Sequence, residues 1–171
     1  MRILITGGCG FVGSNLSIFL KKNLKKAKIE SLDSLFRNGS KINKERLKKL
    51  NIINHKIDIK NYKKIFKLKK FDLIIDCCAE PAIETSSKDP DRIINTNLIG
   101  TYNLLKKCVV DNSNIIFLST SRVYSIKSLR SLINIKNIKN KINIKSKINE
   151  SFETSLPKSL YGSSKLCSED L

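Results

Sequence analysis

Short apolar runs alternate with helical patterns along this chain. The first run, Ile3–Ile5, ends at a glycine-rich turn, and apolar residues then recur at helical spacing from Phe11 to Leu24. Four later runs have the length and β-branched character of buried strands, namely Ile29–Leu32, Ile52–Ile57 with its exit at Asp58-Ile59, Phe71–Ala79 and Asn114–Leu118. Helical patterns separate them. This alternation predicts an α/β fold, a doubly wound parallel sheet with right-handed crossovers.

The later helices are predicted from the same periodicity. They are a lysine-laced helix ending near Leu50, Asn61–Leu68, a long helix from Asp91 to about Val110, and a last helix beginning near Tyr161. The segment Ser125–Asn149 differs, because it is almost wholly Ile, Lys, Asn, Ser and Leu, with no acid, glycine or proline. We expect a basic low-complexity insertion with poorly defined structure, in which a short strand or helix stays open.

Glycines dominate the turn after the first strand. Gly7, Gly10 and Gly13 lie three apart, and Gly8 with the last two gives the spacing G-x-G-x-x-G. Residues without a Cβ atom let backbone N–H groups approach a pyrophosphate, and the helix that follows presents its positive end to it. The expected ligand is a dinucleotide, with both glycine registers open at this point.

Asp33 ends the second predicted strand, twenty residues after Gly13. A dinucleotide-binding unit has an acid there to accept hydrogen bonds from the adenosine ribose, although Asp is also frequent as a strand-end turn residue. An acid at this point repels a 2′-phosphate, so NAD is favoured over NADP. Arg37, close by in the sequence, weakens that preference.

The chain of 171 residues is long enough for one cored domain, which we assign to residues 1–171, and too short for a full substrate domain as well. No signal peptide or apolar run of transmembrane length is seen, so a cytoplasmic protein is expected. The five cysteines match no zinc spacing and are interpreted as reduced thiols. His55 is the only histidine and is interpreted as a strand-end residue, so no metal is expected.

The formal net charge of +18 calls for an explanation, because strongly basic proteins often bind nucleic acid. The basic residues are spread over Lys21–Lys28, Lys60–Lys70 and Ser125–Asn149, and few aromatic residues lie among them. Solvated lysine faces are therefore favoured over a nucleic-acid groove. A non-catalytic module that binds RNA or an acidic partner remains the alternative.

Tyr161 and Lys165 are four residues apart on the last predicted helix, so both project from one face. A tyrosine hydroxyl has a reference pKa of about 10, and a nearby cation is needed if it is to act as a base near neutral pH. Thr120, at the polar exit of the fifth strand, could bond the same substrate oxygen. Tyr102 and Lys106 have the same spacing within the long helix, so the pattern alone is weak.

Taken in order, these motifs resemble the extended short-chain dehydrogenase/reductases, specifically the NAD-dependent sugar-nucleotide epimerase/dehydratase family. The resemblance spans nearly the whole chain. It rests on Thr6–Leu16, Asp33, Asp58-Ile59, Asn97–Thr101, Ser119–Tyr124 and Ser159–Lys165. It selects the register Gly7-x-x-Gly10-x-x-Gly13 and implies a nucleotide-sugar substrate.

The same resemblance implies roles for individual residues. Thr120, Tyr161 and Lys165 would be the catalytic triad, and Asn97 a structural or cofactor-side residue. Asp58 would contact the adenine base, while a role as the N-cap of the helix that follows is an equally good interpretation. The residues expected to bind NAD are Gly7, Gly10, Phe11, Val12, Gly13, Asp33, Asn38, Asp58, Ile59, Ala79, Asn97, Tyr161 and Lys165.

Within that family, the branch of CDP-paratose (CDP-tyvelose) 2-epimerases is the most similar, through Leu32–Arg37, Cys78–Ala82 and Ser121–Tyr124. This implies a CDP-sugar substrate, oxidised at C2 by bound NAD and reduced again from the other face. The dehydratase branch has an Asp-Glu pair after its catalytic Thr, where this chain has Ser121-Arg122, so dehydration is disfavoured. Family members continue well past the Tyr-x-x-x-Lys helix, so a C-terminally truncated chain with little or no turnover is expected. Another short-chain reductase or dehydratase acting on a nucleotide sugar is the alternative function. A homodimer is open for the full-length form.

Overall fold

The computed structural model describes residues 1–81, 88–132, 148–156 and 158–171. Its five strands are parallel wherever they pair. They are β1 (Arg2–Thr6), β2 (Lys28–Leu32), β3 (Ile53–His55), β4 (Leu73–Asp76) and β5 (Asn114–Phe117). Their order in the sheet is β3-β2-β1-β4-β5. This is the order expected of a dinucleotide-binding α/β sheet, in which the order of the strands reverses between β1 and β4.

Helices connect successive strands, and two more follow the last strand. They are α1 (Phe11–Asn23), α2 (Ser40–Lys48), α3 (Tyr62–Phe66), α4 (Pro90–Ile93), α5 (Gly100–Asp111), α6 (Ile126–Leu132) and α7 (Leu160–Glu169). A π-helical segment, Ile94–Ile99, joins α4 to α5, and a 3₁₀ turn, Ser121–Val123, follows β5. The long helix predicted from Asp91 is therefore present, with a wider turn inside it.

Both faces of the sheet are covered, as a doubly wound fold requires. On one face Leu4 packs with residues of α3 and α5, among them Ile65 and Leu104. On the other face Ile3 and Ile5 pack with apolar side chains of α1 and α2. Because neighbouring residues of β1 point to opposite faces, an unbroken apolar run is what this strand needs.

The third strand is shorter than the sequence predicted. β3 ends at His55, and the backbone N–H of Ile57 donates to the carbonyl of His55 at 2.8 Å, which turns the chain out of the sheet. The prediction of His55 as a strand-end residue is confirmed, and its Nε2 lies 2.7 Å from Glu30 Oε2. The N-cap interpretation of Asp58 was wrong, because Asn61 caps α3 by accepting from the N–H of Lys64.

The insertion predicted over Ser125–Asn149 is described only in part. Its first residues form α6, so of the short strand or helix that the sequence left open, a helix is present. Residues 133–147 lie outside the described part of the chain. Within that part, no helix is long and apolar enough to cross a membrane.

Candidate active site

A cleft of about 730 Å³ lies along the carboxyl ends of the strands. Each strand delivers a segment to it, because the chain leaves every strand of a parallel sheet at the same edge. Gly7 follows β1, Asp33 follows β2, Asp58 lies beyond β3, Cys78 follows β4 and Leu118 follows β5. The cleft has a volume suited to a small organic ligand or cofactor.

The glycine turn forms the floor of this cleft at the start of α1. Gly7 has φ +57°, and a Cβ atom there would lie 2.8 Å from the Cys77 carbonyl oxygen. A Cβ atom on Gly13 would lie 2.7 Å from the Gly8 Cα atom, so the first turn of α1 needs this glycine to approach the loop. Gly10, the N-cap, offers no side chain to cap the helix, so the first N–H groups of α1 are open to a ligand. These features fit a pyrophosphate.

Gly8 is also constrained, which the selected register did not predict. A Cβ atom on Gly8 would lie 2.8 Å from the Ile5 carbonyl oxygen and would collide with Ser31 of β2. The reason is packing against the neighbouring strand. Gly7, Gly10 and Gly13 therefore form the turn at the cleft, whereas Gly8 allows the turn to pack against β2.

Asp33 lies where the ribose contact was predicted, half-buried at the cleft. Its two carboxylate oxygens accept from the N–H groups of Cys9 at 3.0 Å and Leu35 at 2.8 Å. Each oxygen keeps a second lone pair, so the carboxylate can also accept from a ribose hydroxyl. These bonds fix the acid against the glycine turn.

The other predicted cofactor residues divide into two sets. The cleft is lined by Phe11, Val12, Ile59 and Ala79, together with Gly7, Gly10, Gly13 and Asp33. Asp58 lines it as well, with its Oδ1 accepting from the N–H of Lys60 at 2.9 Å. The structure does not place Asn38 in the cleft wall, since it lies exposed in the loop before α2.

Asn97 is fully buried in the π-helical segment, behind the cleft wall. Its side chain accepts from the N–H of Glu80 at 2.8 Å and donates to the Glu80 carbonyl and to Ser164 Oγ, at 3.3 and 3.0 Å. Ser168 Oγ donates to the Asn97 carbonyl at 3.1 Å. These contacts match the structural alternative for this residue, because they join the loop after β4 to α7.

Tyr161 and Lys165 lie on α7 as predicted. Tyr161 contributes to the cleft wall, whereas Lys165 is 1% exposed and lies behind it. The Lys165 Nζ atom lies 3.7 Å from the centre of the Phe117 ring. Burial lowers the pKa of the Lys165 ammonium, and the carboxylate of Asp76 opposes that effect. Tyr102 and Lys106 are different, since Tyr102 is exposed and Lys106 Nζ lies over the Tyr62 ring at 3.7 Å.

Thr120 lies in the turn that packs on the start of α7. Its Oγ1 accepts from the N–H of Arg122 at 3.3 Å, which begins the 3₁₀ turn. A Cβ atom on Gly162 would lie 2.9 Å from the carbonyl carbon of Arg122, so this turn touches the helix directly after Tyr161. The intervening insertion therefore does not keep the Thr120 segment away from the Tyr161 helix.

Sequence reasoning missed two acidic residues that organise the site. Asp76, fully buried at the end of β4, accepts from Thr6 Oγ1 at 2.5 Å and Thr101 Oγ1 at 2.9 Å. Glu80, 5% exposed, forms ion pairs with Arg37 and Arg92. The available signal was that Asp76 ends an apolar strand and Glu80 follows it by four residues, but no spacing rule pairs them with partners so distant in sequence.

The environment of the two thiols beside the cleft disfavours their thiolate forms. Burial raises the pKa of Cys77 to about 12, and it raises the pKa of Cys78 well above its usual range. Thiolates are the reactive form of cysteine, so both side chains remain neutral near pH 7. All five cysteines of the chain are free in the structure.

The strand order, the glycine cradle and the acid after β2 define a dinucleotide-binding protein of the Rossmann type, with a Tyr-x-x-x-Lys helix at the same cleft. The chain matches the NAD dependent epimerase/dehydratase family over residues 3–171, and it belongs to that family. The family's description names NAD, so the cofactor prediction is confirmed at the level of the family.

Individual relatives differ in their reactions. A dTDP-D-glucose 4,6-dehydratase of Dictyostelium discoideum is 37% identical over 129 residues, covering 72% of this chain and 30% of that protein. A CDP-paratose 2-epimerase of Salmonella typhi is 37% identical over 131 residues, covering 72% of this chain and 38% of that protein. Among solved structures, the UDP-glucuronic acid 4-epimerase of Bacillus cereus, in complex with UDP-glucuronic acid and NAD, has a TM-score of 0.74 and 26% identity.

The chain is shorter than the proteins it matches. The alignment with the Bacillus cereus structure covers 99% of this chain but 50% of that one. The UDP-Glc/GlcNAc 4-epimerase of Campylobacter jejuni gives the same result, with a TM-score of 0.76, 27% identity and coverage of 99% of this chain and 47% of that one. The chain therefore spans about half the length of the solved relatives.

Proposed function

We propose that this chain forms the NAD-binding and proton-transferring part of a nucleotide-sugar epimerase, and that its substrate is a CDP-sugar epimerised at C2. The observation that carries the proposal is the placement of Tyr161 in the wall of the glycine-cradled cleft, with the buried ammonium of Lys165 one helical turn behind it. Membership in the NAD dependent epimerase/dehydratase family supports the reaction class. Ser121 and Arg122, directly after Thr120, support an epimerase over a dehydratase.

The residues of the cleft divide the cofactor between them. The open N–H groups of α1 would hold the pyrophosphate, and Asp33 would accept from the ribose hydroxyls. Bound NAD would supply a hydride acceptor that later returns the hydride. Lys165 follows Tyr161 by one helical turn and is 1% exposed, so its ammonium would lie near the phenol and away from water.

Proton transfer falls to Tyr161. Its Oη would take the proton of the C2 hydroxyl as the C2 hydrogen leaves as hydride, which produces a ketone at C2. When the hydride returns to the opposite face of the sugar, Tyr161 Oη gives the proton back to the same oxygen. Thr120, two residues before the Arg122 carbonyl that contacts α7, would donate to that oxygen and hold it in place.

Elimination of water requires an additional acid and base at the sugar. The positions after Thr120, Ser121 and Arg122, carry no carboxylate, and both side chains are exposed in the 3₁₀ turn. Epimerisation needs only one proton-transfer group besides the hydride carrier. The proposal therefore favours an epimerase over a dehydratase.

The test uses CDP-tyvelose labelled with deuterium at C2, incubated with the chain and NAD and analysed by mass spectrometry and NMR. The expected product is CDP-paratose that retains the deuterium, formed more slowly than by the longer Salmonella typhi relative as positive control. Tyr161→Phe is expected to reduce the rate by about 10²- to 10⁴-fold. Tyr102→Phe, the matched control with the same Tyr-x-x-x-Lys spacing, leaves it unchanged. A dehydrated product, or loss of the label to solvent, would contradict the proposal.

A further inference from the structure

Glu80 is a buried carboxylate that engages two arginines at the edge of the cleft. Arg37 Nη2 lies 2.7 Å from Glu80 Oε1, and Arg92 Nη2 lies 2.8 Å from Glu80 Oε2. Each carboxylate oxygen therefore takes one guanidinium. The Glu80 side chain is 6% exposed, so water competes little for either oxygen.

The position of Glu80 is fixed from behind. Its backbone N–H and carbonyl are both bonded by the buried side chain of Asn97. On the other side, the guanidinium of Arg92 lies 3.8 Å from the centre of the Phe36 ring. The loop after β2 is thus joined to the long helix through one carboxylate, and Arg37 is drawn to a defined point of the cleft.

Arg37 is close in sequence to Asp33, the acid proposed to bind the ribose. It follows Asp33 by four residues, and both line the same cleft. In dinucleotide-binding folds an arginine near this acid accommodates the 2′-phosphate that distinguishes NADP from NAD. The Arg37 side chain is 55% exposed, so its guanidinium could serve a phosphate if Glu80 did not hold it.

We propose that Glu80 is a specificity-determining residue: by pairing with Arg37 it withholds this guanidinium from a 2′-phosphate, and the cleft selects NAD against NADP. The inference rests on the NAD site of the proposed function. Asp33 supplies repulsion of a 2′-phosphate, and Glu80 removes the one attraction that Arg37 would offer. Glu80 acts through Arg37 and need not touch the cofactor.

The test is calorimetric titration of the chain with NAD and with NADP. In Glu80→Gln the carboxamide no longer neutralises Arg37, and NADP affinity relative to NAD should rise about five- to tenfold. Asp91→Asn is the matched control, because it removes an exposed carboxylate from the same cleft without releasing Arg37. The control should change the affinity ratio less than twofold. An equal rise in both variants would show a general charge effect and overturn the proposal.

A second substitution assigns the gain to Arg37. In Glu80→Gln, the further change Arg37→Gln should abolish the gain in NADP affinity; a gain that persists overturns the proposal. In the wild-type background, Arg37→Gln should weaken NADP binding no more than Lys60→Gln, which removes another cation of the cleft. A loss of NADP affinity above fivefold in Arg37→Gln alone would mean that Arg37 already binds the 2′-phosphate in wild type, which would overturn the proposal. This comparison does not depend on whether Glu80→Gln folds. If wild type binds no NAD, the proposed function fails; NAD binding with an unchanged ratio in Glu80→Gln overturns this inference alone.

Discussion

At the scale of single residues, Gly7 is the position at which backbone geometry and ligand binding coincide. Gly7→Ala places a Cβ atom against the Cys77 carbonyl at a positive φ, so we expect the free energy of unfolding to fall by about 2 kcal/mol. NAD binding should be lost with it. Gly39→Ala is the matched control, since nothing lies within 4 Å of its Cβ position. Urea unfolding should show a change within about 0.5 kcal/mol for the control, and equal losses in both variants would contradict the argument.

Lys165 carries a charge that the folded state holds less easily than the unfolded chain. Burial lowers its pKa from 10.5, so its protonation costs stability near neutral pH, and the cost shrinks as the pH rises toward that value. The free energy of unfolding of wild type should therefore rise relative to that of Lys165→Met between pH 7 and 10. The rise should be about 1.4 kcal/mol for each unit by which folding lowers the Lys165 pKa. Urea unfolding over that range measures the difference, and parallel pH profiles would contradict it.

At the scale of elements, one amide ties three segments together. Asn97 joins the π-helical segment to the loop after β4 and to α7, and all three meet behind the cleft. Asn97→Ala leaves the N–H of Glu80 without its partner in a buried place. We expect a loss of about 2–3 kcal/mol in the free energy of unfolding.

The exposed neighbour Asn95 provides the control for this prediction. It belongs to the same π-helical segment, and Asn95→Ala should change the free energy of unfolding by less than about 0.5 kcal/mol. Chemical denaturation followed by circular dichroism measures both variants. If Asn97→Ala is as mild as the control, the amide does not join these segments.

The strands and helices were predictable because their signals are local. Each strand is a short apolar run, and the position of Asp33 follows from the length of one strand–helix–strand unit. The end of β3 was misplaced because Ile57 continues the apolar pattern while the backbone has already turned at His55. The π-helical segment was not predicted, since its residues fit an ordinary helical pattern equally well.

The candidate site was predictable only where a motif fixes the spacing. The glycine cradle and the Tyr161–Lys165 pair are of this kind. The contacts of Glu80 with Arg37 and Arg92, and of Asp76 with Thr6 and Thr101, join residues far apart in the sequence. Such pairs depend on how loops meet over the sheet, which no local pattern specifies.

At the scale of the whole molecule, the charge of +18 is distributed rather than focused. The basic run Lys21–Lys28 begins at the end of α1, and Lys60–Lys70 surrounds α3. These two helices cover opposite faces of the sheet. We therefore expect any RNA retained by the chain in filter binding at low salt to be released by about 0.2 M salt, without effect on NAD binding. RNA that persists at that salt and competes with NAD would favour the RNA-binding alternative.

The cleft holds the residues proposed for cofactor binding and for proton transfer. The chain provides the cofactor cradle and the Tyr161–Lys165 helix, and it spans about half of the solved relatives. The residues proposed to bind NAD lie in the described part of the chain, whereas turnover of a sugar nucleotide also requires contacts with the sugar. The cofactor is thus the ligand whose binding bears most directly on the assignment.

Calorimetric titration of the purified chain with NAD, beside Gly7→Ala and Gly39→Ala, is that direct measurement. We expect one NAD per chain for wild type and Gly39→Ala, and loss of binding in Gly7→Ala. Saturating NAD should also raise the free energy of unfolding of wild type, by about 2.7 kcal/mol at a hundredfold excess over Kd. A folded wild-type chain that binds no NAD, or a Gly7→Ala chain that binds it as well as wild type, would contradict the assignment of this cleft.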